Sequence, residues 1–166
     1  MSSQVSFIVH DEPAVRPDPA YIAMVDLSPF GFRDQMEQIW LRPLGDGRYE
    51  VCCLPFRVYG LAMGDIVSLD VEAKVISEVV QASGNRIFRI FFPPSAPPGR
   101  FLAAKESVIS AVRDVGLKME WSGDRHVAID IPLGGSVDRV WEVVRELEGV
   151  AVWEWSDVEG FRTGAL

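Results

Sequence analysis

The strongest constraint on the fold is the order in which apolar spacing changes between residues 85 and 160. Strands alternate apolar and polar side chains, whereas helices repeat apolar residues every three or four positions. By these criteria the segment is strand, helix, strand, strand, helix and strand in succession. The strands are predicted at 87–92, 117–121, 127–131 and 150–155, and the helices at 104–115 and from Ser136 to Gly149.

A β-α-β-β-α-β succession is typical of the ferredoxin-like arrangement. We therefore expect residues 85–160 to form a four-stranded antiparallel sheet with both helices on one face. The proline-rich segment 93–99 is predicted to be a loop. The strand at 87–92 is the weak point, because the alternative is that it completes a sheet formed by the residues before it.

Residues 36–84 are predicted to form a small antiparallel sheet or barrel, which makes the whole chain α+β. Strands at 38–42 and 48–54 flank Gly45-Asp46-Gly47, and residues of this type supply the positive φ that a tight hairpin needs. Further extended segments follow Gly64-Asp65. Residues 1–35 read as an arm with edge strands near 5–9 and 21–25, and residues 161–166 as a tail.

Alternation along the strands of residues 85–160 assigns side chains to the two faces of the predicted sheet. The helix-facing set is predicted to be Phe88, Ile90, Phe92, Met119, Trp121, Val127, Ile129, Val150 and Val152. The opposite face is predicted to carry Arg89, Phe91, Glu120, His126, Ala128, Asp130, Trp153 and Trp155. A mixed charged and aromatic face either packs against the first half of the chain or binds a ligand.

The net charge and the cysteine content limit the kinds of partner and of cellular compartment to be expected. The formal net charge is −8, which argues against nucleic-acid binding, since that relies on cations, and suits either solubility alone or a basic protein partner. Neither a signal peptide nor an apolar run long enough to span a membrane is recognisable, so we expect a cytoplasmic protein. The only two cysteines, Cys52 and Cys53, are adjacent and are predicted to be small buried apolar residues.

Few residues carry a recognisable pattern of reactive groups, and we expect no catalytic residue, metal site or cofactor. His10 and His126 have no histidine or cysteine at metal-ligand spacing, so structural roles are favoured. Residues 133–137 precede a helix, where an anion can bind backbone N–H groups, but a tight turn with Ser136 as helix cap is the favoured explanation.

The C-terminal stretch is the candidate surface for a protein partner. Tryptophans can act as apolar anchors there, and carboxylates can attract a basic surface. A solvated chain end is the alternative. The residues concerned are Trp153, Glu154, Trp155, Asp157 and Glu159.

Residues 38–70 carry a pattern that resembles a known family. It runs from Trp40 through Gly45-Asp46-Gly47-Arg48-Tyr49-Glu50 and Pro55-Phe56-Arg57-Val58-Tyr59-Gly60 to Leu61-Ala62-Met63-Gly64-Asp65-Ile66-Val67. This resembles the uncharacterised bacterial family called domain of unknown function 4265, and a weaker similarity continues to about Gly160. The resemblance implies domain boundaries and a bacterial origin, and it implies no activity.

Within this segment, residues 55–65 read as a strand, a glycine-hinged loop and a turn. Gly60 and Gly64 are predicted to supply unusual backbone angles, and Asp65 to accept hydrogen bonds from backbone amides of the turn. A ligand loop is the alternative, with Phe56, Tyr59, Gly60, Gly64 and Asp65 as its candidate residues.

Three expectations about function follow from the sequence. The leading expectation is a non-catalytic acidic binding protein, such as an inhibitor or immunity-type protein that neutralises a bacterial toxin. The alternative is a small-molecule-binding sensor or enzyme that uses the loop 55–65 and the open sheet face. A homo-oligomer that pairs those open faces is a third expectation, and the oligomeric state stays open.

Overall fold

The computed structural model describes residues 3–164 and shows a mixed α+β protein, mostly strands, with two sheets and two helices. Neither helix within residues 3–164 is long and apolar enough to cross a membrane.

The first sheet contains six strands and closes on itself. The strands are β1 (Ser6–Ile8), β2 (Tyr21–Asp26), β3 (Gln35–Gly45), β4 (Arg48–Val51), β5 (Ile66–Asp70) and β6 (Val75–Gln81). Their order is β1-β3-β2-β6-β5-β4, and β4 also pairs with β3. Strands β2 to β6 therefore form a closed ring, completed by one parallel bridge between Met24 and Val75.

The predicted hairpin around Gly45-Asp46-Gly47 is confirmed. It joins β3 and β4, and its three residues have φ values of 90°, 54° and 71°. These left-handed angles explain the choice of glycine and aspartate there.

Strand β1 lies at the edge of the sheet, parallel to β3, whereas β2 lies between β3 and β6. Ala23 and Val25 of β2 join Ile39 and Leu41 of β3 in the core inside the ring. Strands β1 and β2, both before residue 35, are thus part of the first sheet, and β2 contributes to its core.

The second sheet contains β7 (Arg86–Phe91), β8 (Met119–Ser122), β9 (His126–Ile131) and β10 (Val152–Trp155) in the order β10-β7-β9-β8. Every neighbouring pair is antiparallel. The strand whose membership the sequence left open, β7, belongs to this sheet. The two helices are α1 (Pro98–Asp114) and α2 (Asp138–Val144).

Helix α1 begins earlier than its apolar spacing indicated. The prediction of a loop throughout residues 93–99 is wrong for its last two residues, because Pro98 opens the helix. Proline is well suited to the first helical position, where its missing N–H would have no partner in any case.

Both helices pack on the same face of the second sheet. Phe88, Ile90, Val127 and Ile129 form one core with apolar residues of the two helices. The opposite face meets the segment between β4 and β5, where Ile87 and Ala128 pack against Leu54, Phe56 and Ala62.

The prediction of which β10 side chains face the helices is wrong by one residue. Trp153 pairs with Ile90 and Trp155 with Phe88, so both tryptophans lie on the helix side, and Val152 lies opposite beside Phe91. The cause is a turn before the strand, in which the backbone N–H groups of Val150 and Ala151 both donate to the carbonyl of Leu147. Val150 is buried but precedes β10, and its burial therefore does not set the alternation of the strand.

Candidate functional site

The segment that follows β4 forms much of the interface between the two sheets. Leu54, Phe56 and Val58 along it are buried. Their backbone N–H groups donate to two buried carboxylates, those of Glu120 and Glu37. This segment is the one that the sequence marked as a possible ligand loop.

A buried histidine joins those carboxylates. The Nδ1 atom of His10 lies 2.7 Å from Oε1 of Glu120, and its Nε2 atom lies 2.9 Å from Oε1 of Glu37. A neutral imidazole has one N–H, so contacts from both ring nitrogens to carboxylates require the doubly protonated imidazolium. Burial opposes that charge, but the hydrogen bonds and charges of Glu120 and Glu37 outweigh it and raise the pKa of His10 to about 9.

Backbone donors complete the cluster. Glu37 accepts from the N–H groups of Phe56, Arg57 and Val58, and Glu120 from those of Ala14 and Leu54. Hydrogen bonding to His10 holds the pKa of Glu37 below its usual range despite complete burial. With every carboxylate oxygen partnered and all three side chains buried, the cluster ties the N-terminal segment, the first sheet and the second sheet together.

The structural role expected for His10 agrees with this geometry, but its partners were missed, since they lie 27 and 110 residues away. One signal was present for Glu37. It occupies the same alternating row as Ile39 and Leu41 of β3, where an isolated carboxylate requires a buried partner.

Beside this cluster the interface opens into two adjoining cavities. The larger has a volume of about 390 Å³ and the smaller about 190 Å³, and Phe91, His126 and Glu154 line both. We call the two together the interface cleft. Its remaining lining residues include Phe32, Phe56, Arg57, Ser122 and Arg125 in the larger cavity, and Arg89, Val152 and Trp153 in the smaller.

Aromatic rings form the walls of the interface cleft around His126. The His126 ring lies 6.0 Å from that of Phe91, edge to face, and 6.0 Å from that of Phe56. Burial, followed by the charges of Arg89 and Arg57, lowers the pKa of His126 to about 4. The imidazole is therefore neutral near neutral pH, and the two arginines give the cleft a locally positive field in an acidic protein.

Tyr59 and Glu154 form a polar pair beside Arg89. The Tyr59 hydroxyl donates to Oε2 of Glu154 over 2.5 Å, and the Arg89 guanidinium lies 4.7 Å from the centre of the Tyr59 ring. Burial, together with the bond to Glu154, raises the pKa of Tyr59 to about 12. The hydroxyl therefore stays protonated at neutral pH and acts as a hydrogen-bond donor.

The structure separates the candidate loop residues. Phe56 lines the interface cleft, and Tyr59 contacts two of the residues that line it, Arg89 and Glu154. The other three candidates, Gly60, Gly64 and Asp65, shape the backbone of the loop. At Gly60, φ is 71° and a Cβ atom would lie 2.0 Å from the backbone nitrogen of Phe161. Asp65 is buried and accepts from the N–H groups of Ala62 and Ser83, as the turn interpretation expected.

The C-terminal stretch is also divided. Glu154 points toward Arg89, at 3.1 Å from its Nε atom, while Trp153 packs edge to face on Trp141 of α2. Asp157 and Glu159 form exposed pairs with Arg86 and Arg162. The guanidinium of Arg86 also lies 3.9 Å from the ring centre of Trp155.

Other predicted sites have local structural explanations. The Oγ atom of Ser136 accepts from the backbone N–H of Asp138, which opens a helix of seven residues. Cys52 and Cys53 are both buried and unbridged, as expected. No group of three or more His, Cys, Asp or Glu side chains within residues 3–164 is arranged to hold a metal ion.

Comparisons with known proteins find a family but no activity. The family model described as "Domain of unknown function (DUF4265)" matches residues 37–155, which confirms the resemblance. A solved structure, described as the novel crystal structure of a hypothetical protein from Neisseria gonorrhoeae, has a TM-score of 0.58 and 18% identity, covering 86% of this chain and 96% of that one. At that identity the likeness shows the fold alone. No curated protein matches the chain.

Proposed function

The chain belongs to the DUF4265 family, and we propose that it is a non-catalytic binding protein whose interface cleft holds a small molecule. The observation that carries this proposal is the cleft itself, which adjoins the loop 55–65 and the open face of the second sheet. Small-molecule sites are concave, largely apolar and lined by a few polar groups. The aromatic walls of Phe56 and Phe91, with Arg57, Arg89 and His126 between them, match that description.

The polar groups of the interface cleft favour binding over proton transfer. His126 has a pKa of about 4 and Tyr59 a pKa of about 12, so neither changes protonation state near neutral pH. General acid–base catalysis works best when the pKa of the group is close to the working pH. These two side chains are therefore suited to fixed recognition of a ligand.

The histidines provide a direct test. The chain has two, and only His126 lines the cleft, so the ring of His10 is an internal reference. A library of small aromatic compounds is screened by following the ring resonances of both histidines by NMR. We expect a subset to shift His126 and leave His10 unchanged.

Two variants make the assignment specific. Phe91 lines both cavities, so Phe91→Ala should weaken the binding of every compound that shifts the His126 resonances. Leu102 is exposed on α1 and lines neither cavity, and Leu102→Ala should bind like the parent protein. A library with no compound that shifts His126, or equal binding by both variants, would contradict a ligand site in the cleft.

A second candidate function is the recognition of a basic protein partner, as by an inhibitor or immunity-type protein that neutralises a toxin. The net charge of −8 supports it, as do exposed apolar side chains among the C-terminal carboxylates. Trp153 is 47% exposed and Val158 is 66% exposed. Apolar anchors surrounded by charge are common at protein interfaces.

Charge reversal distinguishes this candidate from non-specific attraction. The double variant Trp153→Ala and Glu159→Lys should lose a stoichiometric basic partner in affinity purification. Glu72→Lys changes the net charge by the same amount at an exposed residue of the β5–β6 turn, and it should retain the partner. Equal loss from both, or no stoichiometric partner at all, would count against this function.

Two finer structural assignments belong to the same proposal. We propose that residues 85–160 form a ferredoxin-like unit; the support is the strand order β10-β7-β9-β8, with both helices on one face. We also propose a cytoplasmic location, supported by the unbridged cysteines, since reducing compartments keep thiols free. Cell fractionation checks the location.

A further inference from the structure

Arg89 is the most unusual residue of the interface cleft. It lies on β7 with 1% of its surface exposed, and its Nη1 atom donates to the carbonyls of Val58 at 3.0 Å and Pro55 at 3.3 Å. Its Nε and Nη2 atoms make no hydrogen bond with any residue in the range 3–164. Buried N–H donors that lack an aligned acceptor are disfavoured, and we infer that this edge of Arg89 has a better-aligned partner in the functional state.

The two unpartnered atoms form one edge of the guanidinium. Nε–H and Nη2–H point in parallel along that edge, and their spacing matches the two oxygens of a carboxylate. Glu154 meets the requirement only in part. Its Oε1 atom lies 3.1 Å from Nε without hydrogen-bond alignment, while its Oε2 atom accepts from Tyr59.

The surroundings of this edge suit an added negative charge. Glu154 lines both cavities and is half-buried, so its side chain has room to move from Arg89 toward solvent. Arg57 lines the larger cavity, with its guanidinium 5.1 Å from the centre of the Phe32 ring. The lining of the two cavities therefore carries three arginines, Arg57, Arg89 and Arg125, against two carboxylates, Asp124 and Glu154, and a bound anion would balance the local charge.

We propose that the ligand of the interface cleft carries a carboxylate, which binds the Nε–Nη2 edge of Arg89 by displacing Glu154, while an aromatic group packs against Phe91. This inference rests on the proposed small-molecule function and names the chemical class of its ligand. The Tyr59 hydroxyl, released from Glu154, remains available as a further donor to the bound anion.

Benzoate is a suitable probe, with benzyl alcohol and benzylamine as neutral and cationic relatives and phenyl phosphate as the alternative anion. Binding is followed through the ring resonances of His126. We expect benzoate to bind at least about tenfold more tightly than benzyl alcohol, and benzylamine to bind least. Tighter binding of phenyl phosphate than of benzoate would overturn the choice of a carboxylate.

Variants on either side of the proposed contact have opposite expected effects. Glu154→Gln removes the competing charge and leaves an amide oxygen for Tyr59, so benzoate should bind several-fold more tightly. Arg89→Lys replaces the two-donor edge by a single ammonium, so benzoate should bind at least about tenfold more weakly. Because Arg89→Lys risks misfolding, the partly exposed Glu154→Gln keeps the test decisive.

The outcomes of these experiments distinguish the inference of a carboxylate ligand from the small-molecule function on which it rests. Equal binding of benzoate and benzyl alcohol, or weaker benzoate binding by Glu154→Gln, would overturn the carboxylate and leave a neutral ligand in the cleft. Absence of binding by all four probes, and by the wider library, would overturn the small-molecule function as well.

Discussion

Raising the pH from 6.5 to 9 should remove the stabilisation that one buried residue, His10, contributes to this protein. Its imidazolium lies between Glu37 and Glu120, and the pKa of His10 is raised from 6.5 to about 9. When the pKa of a histidine is higher in the folded state, the stabilisation is fully present below the unfolded pKa. It is lost as the pH rises through the folded pKa.

The size of the effect follows from the two pKa values. Each pKa unit corresponds to 1.36 kcal/mol, so the rise from 6.5 to about 9 contributes about 3 kcal/mol to the free energy of unfolding. Because His10 is 3% exposed, solvent screening removes little of this contribution. For a domain of this size, such a loss is a large fraction of the total stability.

Urea unfolding of the parent protein and of His10→Gln, each at several pH values from 6 to 9, measures the effect. Glutamine carries no charge, so the variant should be less stable by roughly 3–5 kcal/mol at pH 6, where a buried ion cluster loses one partner. The difference between the two proteins should shrink by about 3 kcal/mol as the pH approaches 9. Thiol ionisation affects both proteins alike and cancels. Parallel curves for parent and variant across this range would refute the imidazolium assignment.

Three further predictions concern single positions. Gly60→Ala should lower the free energy of unfolding by at least about 3 kcal/mol, because the added Cβ would lie 2.0 Å from the backbone nitrogen of Phe161. Gly116→Ala is the control, since Gly116 also has a positive φ, 69°, but has nothing within 4 Å of an added Cβ, and it should lower the free energy of unfolding by only about 1 kcal/mol. Asp130→Asn should raise the free energy of unfolding by about 2 kcal/mol at pH 7, because burial raises the pKa of Asp130 to about 6. This gain should vanish below pH 4, where the aspartate is protonated in both the folded and the unfolded state. An equal gain at pH 7 and below pH 4 would contradict this cause. NMR titration should find His126 neutral down to about pH 4. Because its pKa is lower in the folded state, stability should be lost as the pH falls from 6.5 toward 4. A titration midpoint near 6.5 would show that the His126 ring is solvated.

Local features of the sequence determined the secondary structure of the second half and the turns of the first. The alternation in β9 and the apolar spacing of α1 are repeated many times within a few residues, so each element is indicated independently of the rest. The glycines of the hairpin between β3 and β4 likewise report a backbone conformation that only a few residues adopt readily. The beginning of α1, the extent of α2 and the face of β10 were less well determined. Helix α2 spans only Asp138–Val144, whereas its apolar spacing predicted a helix from Ser136 to Gly149. A helix start and the turn before β10 each shift the pattern by a few residues.

The functional surfaces were decided by tertiary structure. Nothing local in the sequence brings His10 to Glu120, 110 residues away, or Arg89 to the carbonyls of Pro55 and Val58. These contacts arise because one face of the second sheet packs against the segment that follows β4, and the energy of a buried charge depends on which partners the fold supplies. The sequence alone therefore determined the strands, helices and turns, and the packing of the two sheets decided which carboxylates meet the imidazole and which arginine faces the cleft.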